Sequence, residues 1–314
     1  MRRRWINVRK RILRTLLPAL RLLPPRAATK MVGDIGRVEY ALVPGLRASY
    51  NLAIAREGRH FGDPWDVKAV GRELAANQVR SRTRDLLLDG RSDRQIAELF
   101  IVNGRETLDE AVARKKGVIL LGNHFGAHLL TACWLIRQGY DWRMYGERPR
   151  HVSRLLARQF ELGGPLGQDR LFISRKTNPA EAAGAILRAA RVLKAEMVLS
   201  IAADVRWSGP LTCPATFLGR TYHFSATWVT LAALTGAPVV PAYCRMDRDG
   251  TYHVDFDTAF QIPPKARDIS EASEWVQLGL RLIEDRVQND PANSNDYFFW
   301  ADDEQAGPRL EKAG

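Results

Sequence analysis

The stretch Gly117-Val-Ile-Leu-Leu-Gly-Asn-His-Phe-Gly-Ala-His-Leu-Leu-Thr131 decides how this chain folds. Its apolar run is short, uninterrupted and closed by a Gly-Asn turn, which reads as a strand covered on both faces. The turn delivers His124 to the carboxyl edge of that strand, where open α/β sheets bind their ligands. An imidazole there is a candidate general base, because its ordinary pKa lies near neutrality.

On both sides of this stretch, short apolar runs alternate with helical periods. The pattern predicts helix 107–115, strand 117–121, helix 126–138, strand 142–146, helix 150–162, strand 170–173, helix 179–194 and strand 197–202. A loop over 203–221, helix 224–235, strands 237–244 and 251–257, and helix 271–289 complete the series. Strands separated by helices imply βαβ units, so the expected fold class is α/β with a mixed, mostly parallel central sheet flanked by helices. The Arg245–Gly250 connection predicts an antiparallel hairpin at one sheet edge. Upstream, residues 28 to about 105 read as helical, with Tyr50-Asn51-Leu52 inside one helix and Asp63-Pro64 opening another. A single domain over 28–300 follows, with a flexible charged tail over 301–314.

The 314 residues carry a net charge of +12, concentrated at the front: the first thirty residues hold ten basic residues and no acidic one. Between Trp5 and Leu23 apolar residues recur at helical spacing among these arginines. The interleaved charges and Pro18 exclude a spanning helix, and no secretory core is present. A basic amphipathic helix over 1–27 suits the plane of an anionic leaflet. That concentration of charge, without any nucleic-acid-reading motif, argues against nucleic acid as the partner. Cys133, Cys213 and Cys244 form no CxxC pair and read as reduced thiols.

Four features fall at or just after predicted strand ends: Asn123-His124, Glu147-Arg148, Asp204, and Thr216-Phe-Leu-Gly-Arg220. Parallel strands put their carboxyl ends on one edge, so these features can share a cleft. The His124-x3-His128 spacing also imitates a metal-binding helix, with His151 and His223 as conceivable further ligands.

The ordered series Gly122-Asn-His-Phe-Gly126, Arg148, Asp204 after Val198-Leu-Ser-Ile-Ala202, Phe217-Leu-Gly219 and Leu231-Ala-Ala-Leu-Thr-Gly-Ala-Pro-Val-Val-Pro241 resembles the bacterial lipid A biosynthesis acyltransferases. These belong to the lysophospholipid acyltransferase superfamily, and the resemblance runs from about residue 10 to 300. It implies a glycerolipid acyltransferase-like fold. It also implies transfer of a fatty acyl group from acyl carrier protein or coenzyme A to a hydroxyl of an anionic lipid, at the cytoplasmic face of the inner membrane, with no bound cofactor or metal. Position by position, His124 becomes the base and Arg148 a grip for acceptor phosphate. Asn123, Glu147, Arg206, Phe217 and Gly219 become substrate-binding residues around Asp204.

The family's acid, five residues after the histidine, is here Leu129, and the Gln that often follows the strand-end Asp is Val205. Leucine can neither accept a hydrogen bond from Nδ1–H nor stabilise an imidazolium. His128, Glu147 and Asp204 are the substitutes to weigh, with Asp204 preferred because Glu147 has Arg148 beside it to pair with. A lipid-binding pseudoenzyme and a metal-dependent hydrolase are the alternatives.

Overall fold

The computed structural model describes residues 15–16, 18–62, 65–150, 152–174, 179–207 and 211–305. The N-terminal layer is helical. Helices α1 (Pro25–Leu42) and α2 (Pro44–Gly58) each begin on a proline, whose missing N–H costs nothing in a first turn. Both precede the longer α3 (Val67–Leu88). Leu20, Ala28 and Val32 pack on Val79 and Leu87 of α3. The two helices approach closely because α1 has Gly36 there: a Cβ would stand 2.4 Å from the Ala75 carbonyl oxygen. A short α4 (Asp93–Ala97) starts with a Ser92/Gln95 capping box.

Six strands form the central sheet: β1 (Phe100–Asn103), β2 (Val118–Gly122), β3 (Trp142–Tyr145), β4 (Val198–Ala202), β7 (Val239–Met246) and β8 (Tyr252–Phe256). Their spatial order is β1-β8-β7-β2-β4-β3. β7, β2, β4 and β3 run parallel, β8 is antiparallel to β7, and β1 is parallel to β8. A separate antiparallel hairpin joins β5 (Thr212–Phe217) to β6 (Arg220–Ser225).

Side-chain alternation divides the sheet between two cores. Ile119, Leu121, Leu199, Ile201 and Val239 point to one face. There they meet α8 (Pro179–Lys194), α9 (Thr227–Thr235) and α10 (Ile269–Asn289) through Leu193, Trp228, Val276 and Leu280. Val118, Leu120, Val198 and Val240 point to the other. They meet α5 (Arg105–Ala113), α6 (Leu129–Arg137) and α7 (Arg154–Phe160) through Leu108, Trp134, Leu156 and Phe160. Burying such a side chain contributes roughly 1.5–3 kcal/mol, so β2 and β4, covered on both faces, anchor the domain.

The mostly parallel α/β sheet agrees with the sequence reading, and four local elements differ. Residues 170–173 are not a strand. A 3-10 turn, Gln168–Leu171, lies there, and the Gln168 side chain holds the edge of β3 by accepting from Met144 N at 2.7 Å and donating to Met144 O at 2.7 Å. The expected loop 203–221 contains β5 and the start of the hairpin, which turns through Leu218 and Gly219 at positive φ. β1, in a region expected to be helical, adds beyond β8, so the β7–β8 hairpin is not the sheet edge. At the C-terminus α11 (Trp300–Gln305) occupies the start of the expected flexible tail. Most of the predicted 1–27 helix and the Asp63-Pro64 helix start lie outside the described residues. Among those described, no helix is long and apolar enough to cross a membrane.

Candidate active site

Gly122 of β2 pairs in register with Ala202 of β4. His124 and Asp204 each stand two residues past that pair, so equal overhangs from adjacent parallel strands bring them together. Asp204 Oδ1 lies 3.0 Å from His124 Nδ1, while its Oδ2 accepts the His124 backbone amide at 2.8 Å. The Tyr297 hydroxyl donates to Oδ2 at 2.5 Å and also accepts from the His124 amide at 3.0 Å. The carboxylate is fully buried and the imidazole about half exposed.

The turn carrying His124 is fastened from several elements. Asn123 accepts from Phe125 N at 3.1 Å and donates to the Ala242 carbonyl at 3.1 Å. Gly126 N donates to the Asn293 carbonyl at 2.7 Å, and the Asn295 amide donates to the carbonyls of His124 and Gly126. Gly126 has φ +60°, and a Cβ there would sit 2.0 Å from the Cys244 carbonyl oxygen. Only glycine fits.

Electrostatics follow from this packing. The Asp204 charge raises the His124 pKa above 6.5, against the opposing effect of burial. Burial pushes the Asp204 carboxyl up, but His124 and the hydrogen bonds from the ring, Tyr297 and the amide outweigh it and bring the carboxyl down to about 2. Burial and the neighbouring carboxylate push Tyr297 well above its usual range, so it stays a donor. An ionised carboxylate can only accept, so neutral His124 carries its proton on Nδ1 and its lone pair on Nε2.

His128 does not orient His124. Its ring meets the His124 ring edge-on at 5.0 Å, and its buried Nδ1 has no partner among the described residues. Burial, then His124 and Arg84, lowers its pKa well below the ordinary value, so it is neutral. Leu129 opens α6, buried in the apolar cluster of Leu130 and Ala132.

A cavity of about 780 Å³ opens at this edge, lined by Asn123, His124, His128, Glu147, Arg148, Asp204 and Arg206 among others. Trp142, Met144, Tyr145, Ile173, Ile186 and Leu129 supply apolar wall, while Arg82, Arg84 and Arg150 add further positive charge. Arg206 lies over the Trp300 ring at 4.2 Å and Arg148 over Phe172 at 5.9 Å. Phe217 and Gly219 are not in this wall. Phe217 is buried behind it against Tyr297 and Trp300, and Gly219 sits in the hairpin turn beside His60. His223 is exposed on β6, and His151 lies outside the described residues. Among the described residues no three His, Cys, Asp or Glu side chains are grouped to hold a metal ion.

Tyr297, Asn293 and Asn295 escaped the sequence reading. The polar run Asn293-Ser-Asn-Asp-Tyr297 was the available signal, but nothing local ties it to a histidine about 170 positions away.

A buried carboxylate holding an imidazole at the carboxyl edge of a parallel sheet, beside a cavity of this size, is the architecture of an α/β group-transfer enzyme or hydrolase. The choice between them comes from the chain as a whole. It belongs to the bacterial lipid A biosynthesis acyltransferase family, whose family model matches residues 12–300. No curated protein matches it individually. Membership makes the activity acyl transfer of the lipid A type, which requires an acyl donor and a lipid acceptor.

Proposed function

We propose that this protein moves a fatty acyl group from a thioester, carried by acyl carrier protein or coenzyme A, to a hydroxyl of an anionic lipid A-type acceptor, with His124 as general base. One observation carries the reading: Asp204 stands 3.0 Å from His124 Nδ1, supplying the carboxylate that Leu129 cannot. Asp204 keeps the proton on Nδ1 and the Nε2 lone pair available. Nε2 removes the acceptor hydroxyl proton as the oxygen attacks the thioester carbonyl carbon. The imidazolium is stabilised by the buried charge beside it. Collapse of the tetrahedral intermediate expels the thiolate, which takes the proton back from Nε2, and the enzyme is restored.

The cavity supports this division of labour. Its apolar wall suits an alkyl chain, and Arg82, Arg148 and Arg150 suit phosphate groups of the acceptor. The basic leading segment suits the cytoplasmic face of an inner membrane, where each cation near the surface contributes about 1 kcal/mol. Incubation with a labelled acyl thioester and lipid acceptor tests the scheme. His124→Ala should lose roughly 10²–10⁴ in rate, and unchanged turnover in that variant rules the scheme out. Absence of product from the unaltered protein with either donor would instead favour the lipid-binding pseudoenzyme.

A further inference from the structure

Among the described residues, eleven large apolar side chains are exposed, and six of them, Leu16, Leu22, Met31, Val38, Leu42 and Leu52, fall within residues 16–52. Isolated exposed apolar residues are ordinary, but a cluster of them marks an interaction surface. On α1, Met31, Val38 and Leu42 are spaced by seven and four residues, so they share one helical face. Ala28, Val32, Gly33, Gly36 and Tyr40 turn inward on the opposite side. Leu42 is 71% exposed, and Leu22 just before α1 and Leu52 on α2 are 87% and 67% exposed.

We propose that this outward face of α1 is a second bilayer-contact surface, so that the folded body lies on an anionic membrane together with the leading segment. The inference rests on the membrane reading above and adds the residues of the body that make the contact. Charge chooses the occupant. The first 58 residues hold thirteen basic and three acidic residues, of the chain's net +12. Of the three acids, Asp34 on the outward face is held by Arg37 Nη1 at 2.5 Å, and Glu39 and Glu57 are buried. The partly exposed carboxylates at this helix, Asp34 and Asp249, are each already paired with an arginine, Arg37 and Arg26, so an anionic leaflet meets apolar side chains within a segment of net positive charge. A second copy of the same face would bring like charges together, and nucleic acid would leave the leucines without partners.

The test is equilibrium binding of the full chain to vesicles of phosphatidylglycerol and phosphatidylcholine, for the protein and for the double variant Val38→Gln, Leu42→Gln. The variant should bind roughly tenfold more weakly or worse, with unchanged melting temperature and unchanged acyl transfer in detergent. Leu187→Gln, at a 59% exposed position on α8, should bind like the parent and controls for general loss of surface apolarity. Equal binding by the double variant and the parent overturns the proposal while leaving the membrane reading intact. A parent protein that ignores the vesicles overturns both. If the double variant changes the oligomeric mass and not vesicle binding, the face is an interface between copies and the proposal fails.

Discussion

Asp204 reaches His124 twice, through the ring Nδ1 at 3.0 Å and through the backbone amide at 2.8 Å. One carboxylate therefore sets both the tautomer of the ring and the path of the turn that carries it. Replacing it with asparagine leaves the shape and removes the charge. Asp204→Asn should retain the fold while losing roughly 10²–10⁴ in rate, read by acyl transfer from a labelled thioester. Activity within twofold of the parent would sink the role assigned to this pair.

The same pair sets the pH response. A base must be unprotonated, so the rate should fall as pH drops through the His124 pKa, which Asp204 holds above 6.5. In Asp204→Asn any residual activity should show this inflection at lower pH. Asp204 itself, depressed from 3.8 to about 2, contributes stability that is fully present above 3.8 and lost as pH falls through about 2. Acid unfolding of parent and variant, compared across that window, reads this contribution directly.

Tyr297 binds both partners of the pair, donating to Asp204 and accepting from the His124 amide. Tyr297→Phe removes a buried charge-assisted hydrogen bond and should cost about 1–3 kcal/mol in urea unfolding. Its acid-limb inflection should also shift, because the carboxylate facing His124 loses one of its donors. A purely structural tyrosine would leave that inflection where it is.

Gly126 carries the chain through φ +60° against the Cys244 carbonyl. Gly126→Ala combines left-handed strain with a backbone clash and should destabilise by about 3 kcal/mol or more. A denaturant midpoint close to that of the parent would show that the turn can relax.

At position 129, where the resemblance in sequence leads to the expectation of an acid, the chain has leucine. Introducing that acid as Leu129→Asp should not raise activity, since the His124 Nδ1 already has Asp204. It places a carboxylate in an apolar cluster and should lower the melting temperature. A variant faster than the parent would mean that Asp204 is the poorer orienter.

Much of the fold was legible in the sequence, and the exceptions share a cause. β2, β4, α8 and α10 have strong apolar periodicity and stand within about two residues of their expected bounds. β1 has four residues and no buried position, and β5 alternates buried with exposed or half-buried positions around Pro214, so neither presents a continuous apolar run. The apolar stretch at 170–173 mimicked a strand, but the Gln168 side chain already occupies that sheet edge. Phe217 and Gly219, read as lining the cleft, belong to a hairpin whose turn sits beside His60 and outside the cavity wall.

Local sequence encodes the alternation of strands and helices, the delivery of His124 to a strand end and the excess of positive charge at the front. These are local properties: each depends on periodicity or composition within a window of a few residues. Tertiary packing alone makes Asp204, rather than His128 or Glu147, the hydrogen-bond partner of the His124 ring, and brings Tyr297 and Asn295 to fasten the pair. Those contacts depend on strand order, on the register of Gly122 with Ala202 and on the return of the C-terminal segment across the sheet edge. No spacing along the chain encodes which overhanging residues of adjacent strands will touch.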